Sequence, residues 1–357
     1  MTPAEGRSAA GRLAVIGAGA WGTALAVHLA RAGHAARLWV FESELLALLT
    51  KTGENPWYLP GVTLPEGVRP VGALAEAVAG ADLVIVVVPS HGFRRVVTEL
   101  APHLAPTARV LSAAKGLEDE RHARMSEILA AELPAPHRSR IAVLSGPTFA
   151  LEVAQGRPTA AVLAAADPAL ARDLQRALAT PTFRLYTQTD VVGVELGGAL
   201  KNVMAIAAGI SDGLELGANA RAALLTRGLA EITRLGVALG ARPRTFAGLA
   251  GVGDLVLTCT GELSRNRRLG LALARGTSLA AWQAATRAVA EGVRTTAAAL
   301  ALARRVGVPV PITGEVAAVL FEGKSPREAL TALLHRELRP EEEPEDLTGA
   351  AMPVRPA

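Results

Sequence analysis

Short apolar runs alternate with longer amphipathic ones through the first half of the chain. Leu13–Ile16, Ala36–Val40, Leu83–Val88, Arg109–Ala113 and Ile141–Ser145 are nearly continuous in apolar residues, which predicts strands buried on both faces. Trp21–Ala32, Ser43–Lys51, Gly92–His103 and Arg124–Leu133 carry helical spacing between them. Leu59–Val71, rich in Pro and Gly, reads as a loop. Ala160–Ala164 and Phe183–Thr187 add two further strand-like pieces. Such alternation predicts a doubly wound parallel α/β sheet. Near residue 190 the texture changes. Gly, Ala and Leu take over at helical spacing, and β-branched runs nearly vanish. The expected organisation is an N-terminal extension over 1–10, an α/β domain over 11–189, an all-α domain over 190–335, and a Pro- and Glu-rich tail over 336–357 with the composition of a disordered segment.

Composition narrows the class. A chain of 357 residues is long enough for two cores. Aromatic residues make up only 3%, so those cores must be built from Leu, Val, Ile and Ala. The single cysteine, Cys259, excludes an internal disulfide and fits a reducing compartment. Mean hydropathy is +0.29, yet no run approaches 18 uncharged apolar residues, and Met1–Ala10 lacks the apolar stretch of a signal peptide. The expectation is a cytoplasmic protein without membrane insertion. The formal charge is +4, but the basic residues are scattered, with short clusters only at Arg94–Arg95 and Arg265–Arg268. With so few aromatics to stack bases, small anions explain these clusters better than nucleic acid.

One motif carries chemistry at once. Gly17-Ala18-Gly19-Ala20-Trp21-Gly22 fits G-x-G-x-x-G, follows a predicted strand and opens a predicted helix. Its glycines permit a tight turn and close approach of backbone to a pyrophosphate, which the helix N-terminus attracts. Just past the second strand stands Glu42, either a partner for an adenosine ribose or a solvated helix-capping acid. Phe41 beside it is an alternative contact, with the adenine face.

The chain has only four lysines, Lys51, Lys115, Lys201 and Lys324, among many arginines. Lys201 lies in an apolar helical stretch that predicts burial. Burial lowers an amine's pKa toward neutrality and suits proton exchange with a substrate hydroxyl. Asp254, in the Gly-rich apolar segment 248–258, needs a partner for its charge, and Thr258 shares its helical face. Lys115 ends a predicted strand, where open α/β sheets bind ligands. Ser264-Arg265-Asn266 reads as a helix N-cap with free N–H groups and an arginine fork, an anion site.

Taken together, Gly17–Ala26, Ala114-Lys115-Gly116, Ser145–Ala150, Gly198–Val203, Gly253–Thr260, Ser264–Arg267 and Val289–Thr295 resemble the soluble NAD(P)-dependent glycerol-3-phosphate dehydrogenases, in order and spacing over about residues 12–335. That resemblance implies a Rossmann-like domain, a helical substrate domain, and reversible reduction of dihydroxyacetone phosphate to sn-glycerol 3-phosphate for phospholipid synthesis. It implies Lys201 as proton donor and acceptor, with Asp254, Asn202 and Thr258 at the catalytic centre. Lys115, Gly146, Thr148, Lys201, Asp254, Ser264, Arg265 and Asn266 would hold the phosphorylated substrate. Gly17, Gly19, Ala20, Trp21, Gly22, Phe41, Lys115, Ala150, Arg265, Val289 and Glu291 would touch NAD or NADP, with no metal. Oligomeric state is left open, a homodimer included. Bacterial members often carry a basic residue near Phe41; the run Leu38-Trp-Val-Phe-Glu-Ser-Glu has none, so NADH is expected to serve at least as well as NADPH. The competing readings are a dehydrogenase of hydroxy acids or ketopantoate-like substrates, which would need a carboxylate site in place of Ser264–Asn266, and a catalytically silent NAD(H) sensor.

Overall fold

The computed structural model describes residues 12–286, 289–338 and 340–341. The expected extension over 1–10 and the tail from 342 onward lie outside these. Among the described residues ten strands form: β1 Leu13–Ile16, β2 Ala36–Trp39, β3 Glu54–Asn55, β4 Leu59–Thr63, β5 Val68–Val71, β6 Leu83–Val86, β7 Arg109–Ser112, β8 Ile141–Ser145, β9 Thr159–Ala165 and β10 Phe183–Gln188. Eight of them build one sheet in the order β10-β9-β8-β7-β6-β1-β2-β5. Strand β1 is central, with Leu13 in register with Ala36 on one side and Leu83 on the other. The side chains of β1, β6 and β8 are buried throughout, hence the absence of alternation in their sequences. Each fully buried Val, Leu or Ile there contributes about 1.5–3 kcal/mol.

Two expectations need correction. Leu59–Val71 is not one loop. It contains β4, which pairs antiparallel with β3, and β5, the edge of the main sheet beside β2. The turn residues that suggested a loop are compatible with strand here because the edge tolerates Pro70, whose missing N–H costs no ladder bond. The sheet is also not wholly parallel, since β9 runs antiparallel to β8. The segment joining them holds only the five-residue helix Ala150–Ala154, and the next, 11-residue helix then makes β10 parallel to β9.

The helices of this part are α1 Ala20–Arg31, α2 Ser43–Thr52, α3 Leu74–Val78, α4 Ser90–Leu100, α5 Met125–Glu132, α6 Ala150–Ala154 and α7 Pro168–Leu178. They cover both faces of the sheet and give it two separate apolar cores. The chain then turns helical: α8 Val191–Gly213, α9 Gly217–Ala238, α10 Pro243–Phe246, α11 Asp254–Thr260, α12 Arg265–Ala274, α13 Leu279–Ala284, α14 Glu291–Val306, α15 Pro311–Phe321 and α16 Pro326–Leu334. Asp190 starts α8, accepting from Gly193 N at 2.9 Å, and also holds Arg242 N at 2.9 Å and Thr245 Oγ1 at 2.5 Å. By length and composition α8 is apolar enough to cross a membrane, but its residues are mostly buried within the protein. It is wrapped by α9, α11, α12 and α14, with a core on each side.

Candidate active site

The crevice beyond the C-terminal ends of β1, β6, β7 and β8 receives Gly17, Ser90, Lys115 and Gly146 in turn. The glycine-rich turn between β1 and α1 has the geometry to hold a pyrophosphate. Gly17 has φ +121°, and a Cβ there would sit 3.1 Å from the Val87 carbonyl carbon and oxygen. A Cβ on Gly22 would overlap the Gly17 carbonyl, so α1 can lie this close to β1 only without one. Gly19 faces open space instead, where a side chain would fill the cradle. Gly19 is the N-cap of α1 and supplies no side-chain cap; the first helical bond runs from Thr23 N to Gly19 O, leaving the N–H groups of Ala20, Trp21 and Gly22 for a ligand. The indole N–H of Trp21 is buried without a partner among the described residues. These features fit a dinucleotide. A residue with no motif around it holds the turn: Asn55, fully buried, donates to Ala18 O at 2.7 Å and to Thr23 Oγ1 at 2.8 Å.

Across the crevice, one carboxylate joins two lysines. Asp254, only 1% exposed, accepts from Lys201 Nζ at 2.5 Å through Oδ1 and from Lys115 Nζ at 2.8 Å through Oδ2. Lys115 also donates to Gly146 O at 2.7 Å and Thr148 Oγ1 at 3.1 Å, so all three of its protons are engaged. Lys201 donates to Asp254 and, at 2.6 Å, to Thr258 Oγ1, which passes its own proton to Asp254 O at 2.7 Å. One proton of Lys201 therefore has no acceptor among the described residues. Burial pushes the Lys201 ammonium down to about 8; Asp254 opposes that shift and the Lys115 cation adds to it. Burial also raises the Cys259 thiol to about 12, which leaves it inert beside this centre.

Two adjacent glycines make the convergence possible. A Cβ on Gly197 would overlap Ala250 O in the wide turn Leu249–Gly253 that leads into α11, and a Cβ on Gly198 would overlap Ser145 Oγ at the end of β8. Each costs helix propensity of about 1 kcal/mol. In exchange α8 lies against both partners and brings Lys201 to Asp254.

Ser264 is the N-cap of α12, its Oγ accepting from Arg267 N at 3.2 Å. Arg267 is tied to Asp212 by Nε at 2.8 Å, so it is not free to hold an anion, whereas Arg265 makes no ion pair among the described residues and faces Glu291 and Tyr58. Asn266 donates to Asn202 Oδ1 at 2.9 Å and accepts from Gly292 N at 3.0 Å. This amide chain links the start of α12 to the residue next to Lys201. The carboxylate of Glu291 receives Ser90 N at 3.1 Å and Ser90 Oγ at 2.6 Å, joining the N-termini of α14 and α4. Sequence reasoning missed Ser90, although its place at the start of the helix that follows β6 accords with the strand-end rule.

The remaining predicted contacts are placed as follows. Ala150 opens α6 and packs with Trp21 in the small core under α1. Val289 lines a cleft of about 550 Å³ with His91 and Trp282. Phe41 stands 60% exposed just past β2. Glu42 occupies the N-cap position of α2 without capping it; Tyr58 OH donates to its carboxylate at 2.7 Å. Among the described residues no group of three or more His, Cys, Asp or Glu could hold a metal ion.

Comparison with known proteins points to one family. The family descriptions "NAD-dependent glycerol-3-phosphate dehydrogenase N-terminus" and "C-terminus" match residues 12–171 and 190–331. A glycerol-3-phosphate dehydrogenase [NAD(P)+] of Syntrophotalea carbinolica is 52% identical over 329 residues, covering 92% of this chain and 99% of its own. One of Geobacter sulfurreducens is also 52% identical, covering 92% and 98%. A crystal structure of glycerol-3-phosphate dehydrogenase from Coxiella burnetii superposes with a TM-score of 0.87 at 42% identity, covering 91% of this chain and 99% of that one. The chain therefore belongs to the NAD-dependent glycerol-3-phosphate dehydrogenase family.

Proposed function

We propose that this chain catalyses the reversible, NAD(P)H-dependent reduction of dihydroxyacetone phosphate to sn-glycerol 3-phosphate. The observation that carries the reading is the buried Lys201–Asp254–Lys115 cluster facing the glycine-rich turn across one crevice. Residues 11–189 would bind the nucleotide and 190–335 the substrate. Gly17, Gly19, Ala20, Trp21 and Gly22 would carry the pyrophosphate, with Phe41, Lys115, Ala150, Arg265, Val289 and Glu291 around the rest of the nucleotide. When bound, the nicotinamide supplies the hydride that the substrate carbon receives.

The proton comes from the chain itself. Lys201 presents its third N–H to the C2 oxygen of the substrate and donates it as negative charge develops there. A donor near pKa 8 gives up a proton more readily than an unperturbed lysine and is still mostly charged at neutral pH. Asp254 balances the remaining charge, and Thr258 fixes the direction of the amine. Lys115 holds Gly146 and Thr148 in place for the substrate hydroxyls, exchanging one of its bonds for the ligand. Arg265, with the first N–H groups of α12 and Ser264, takes the phosphate. Asn266 and Asn202 act as a brace between phosphate and proton donor.

Further parts of the reading concern setting. The product would feed phospholipid synthesis in the cytoplasm, without nucleic-acid partners or membrane insertion; a homodimer is compatible with the reading, and sedimentation decides it. NADH should serve at least as well as NADPH because no basic residue follows β2, and steady-state kinetics with a large NADPH advantage would reject that. The central test is NADH oxidation with dihydroxyacetone phosphate as the varied substrate. Lys201→Met should lose nearly all turnover and still bind nucleotide. Near-normal turnover in that variant overturns the mechanism. Turnover of 2-oxo acids in place of the phosphate ester would favour the hydroxy-acid reading.

A further inference from the structure

Arg94 and Arg95 are neighbours on α4, and the structure gives them different fates. Arg94 is held by Glu118, with Nε to Oε1 at 2.5 Å, and by Glu132. Arg95 is exposed and has no ion pair or hydrogen bond among the described residues. Its guanidinium carbon instead lies 5.3 Å from the centroid of the Phe41 ring. Phe41 is itself exposed, and Trp39 stands behind it with ring centroids 5.9 Å apart.

This pair occupies a particular place. The adenosine half of a dinucleotide lies beyond the end of the second strand of a doubly wound sheet. An acid there partners the ribose 2′-hydroxyl, while a nearby arginine accommodates a 2′-phosphate. The acid present, Glu42, already receives the Tyr58 hydroxyl at 2.7 Å. No basic residue follows Phe41 in Glu42-Ser43-Glu44. A guanidinium with no counter-ion among the described residues, lying over an exposed aromatic ring, is matched to a phosphate and needs to break none of the described bonds to receive one.

We propose that Arg95, reaching across from α4, is the residue that admits the 2′-phosphate, so that use of NADP(H) beside NAD(H) runs through this one side chain. The inference rests on the dinucleotide reading above and adds the residue that sets cofactor choice.

Fluorescence titration of NADH and NADPH against the wild-type protein, Arg95→Gln and Arg95→Lys tests it, with adenosine 2′,5′-bisphosphate and 5′-AMP as competitors. Wild type should bind both nucleotides. Arg95→Gln should raise the Kd of NADPH about tenfold or more, the size of a lost charge-assisted bond. It should leave the Kd of NADH within about threefold, as for a surface change, and leave the melting temperature unchanged. Arg95→Lys should keep part of the NADPH affinity, and added salt should erode NADPH binding more than NADH binding. An unchanged ratio of the two Kd values in Arg95→Gln overturns the proposal, as does equal weakening of both, or a wild type that binds NADH and not NADPH. A wild type that binds neither nucleotide instead overturns the dinucleotide reading itself.

Discussion

Replacing Asp254 by Asn keeps the shape of the side chain and removes its charge. The carboxylate is buried and accepts from Lys201 at 2.5 Å and from Lys115 at 2.8 Å. Each such charge-assisted bond is worth about 1.5–3 kcal/mol, and a buried charge stripped of its partner costs about 3–5 kcal/mol. The two lysines would respond differently. Lys115 keeps Gly146 O and Thr148 Oγ1 as acceptors. Lys201 keeps only Thr258, so it escapes the cost by releasing its proton. Asp254 is the group that holds the Lys201 pKa up against burial, so in Asp254→Asn that pKa falls below about 8. Carbonyl reduction needs the protonated amine. Its alkaline limb should therefore move to lower pH, and kcat at neutral pH should fall about a hundredfold or more.

The same shift has a signature in stability. In the wild type Lys201 titrates at about 8 when folded, against a reference of 10.5. Between those values the unfolded chain binds more protons, so stability rises with pH through that window; below it, the buried charge costs about 3 kcal/mol. In Asp254→Asn the rise should begin at lower pH. Initial rates across the pH range, paired with guanidinium unfolding at each pH, measure both limbs. A variant that keeps the wild-type alkaline limb and more than about a tenth of the turnover would refute the coupling of Asp254 to the proton step.

Two further changes probe the supports of the site. Gly197→Ala places a Cβ against Ala250 O and forces α8 away from the turn before α11; about 1–3 kcal/mol of stability and a larger share of kcat than of nucleotide affinity should be lost, read by unfolding and NADH titration. Arg265→Ala should raise KM for dihydroxyacetone phosphate about tenfold or more, well beyond its effect on KM for NADH; equal effects on the two KM values would remove the phosphate role.

The sequence by itself determined the parts whose signal is local. Continuous apolar runs mark β1, β6 and β8 because those strands are buried on both faces. The turn at Gly17–Gly22 is legible because strand, glycines and helix follow one another directly. Lys201 stood out because a lone cation in an apolar helix has few alternatives to burial, and Asp254 because a carboxylate among glycines and apolar residues needs a partner. The edge strand β5 was not legible, since an edge accepts Pro70 and turn residues that elsewhere mean loop. Nor was the reversal of β9, which depends on where α6 packs.

What only the tertiary structure decided is which group does which task. Lys115 and Lys201 look alike as letters, but one spends every proton on Gly146, Thr148 and Asp254 and the other keeps one in reserve. Arg94 and Arg95 are adjacent in the chain, yet their side chains leave α4 in different directions, so two glutamates take one and Phe41 receives the other. Ser90 and Glu291 are 201 positions apart and meet only when α4 and α14 bring their N-termini together. Hydrogen-bond saturation and charge pairing are properties of neighbours in space, and a single sequence records neighbours along the chain.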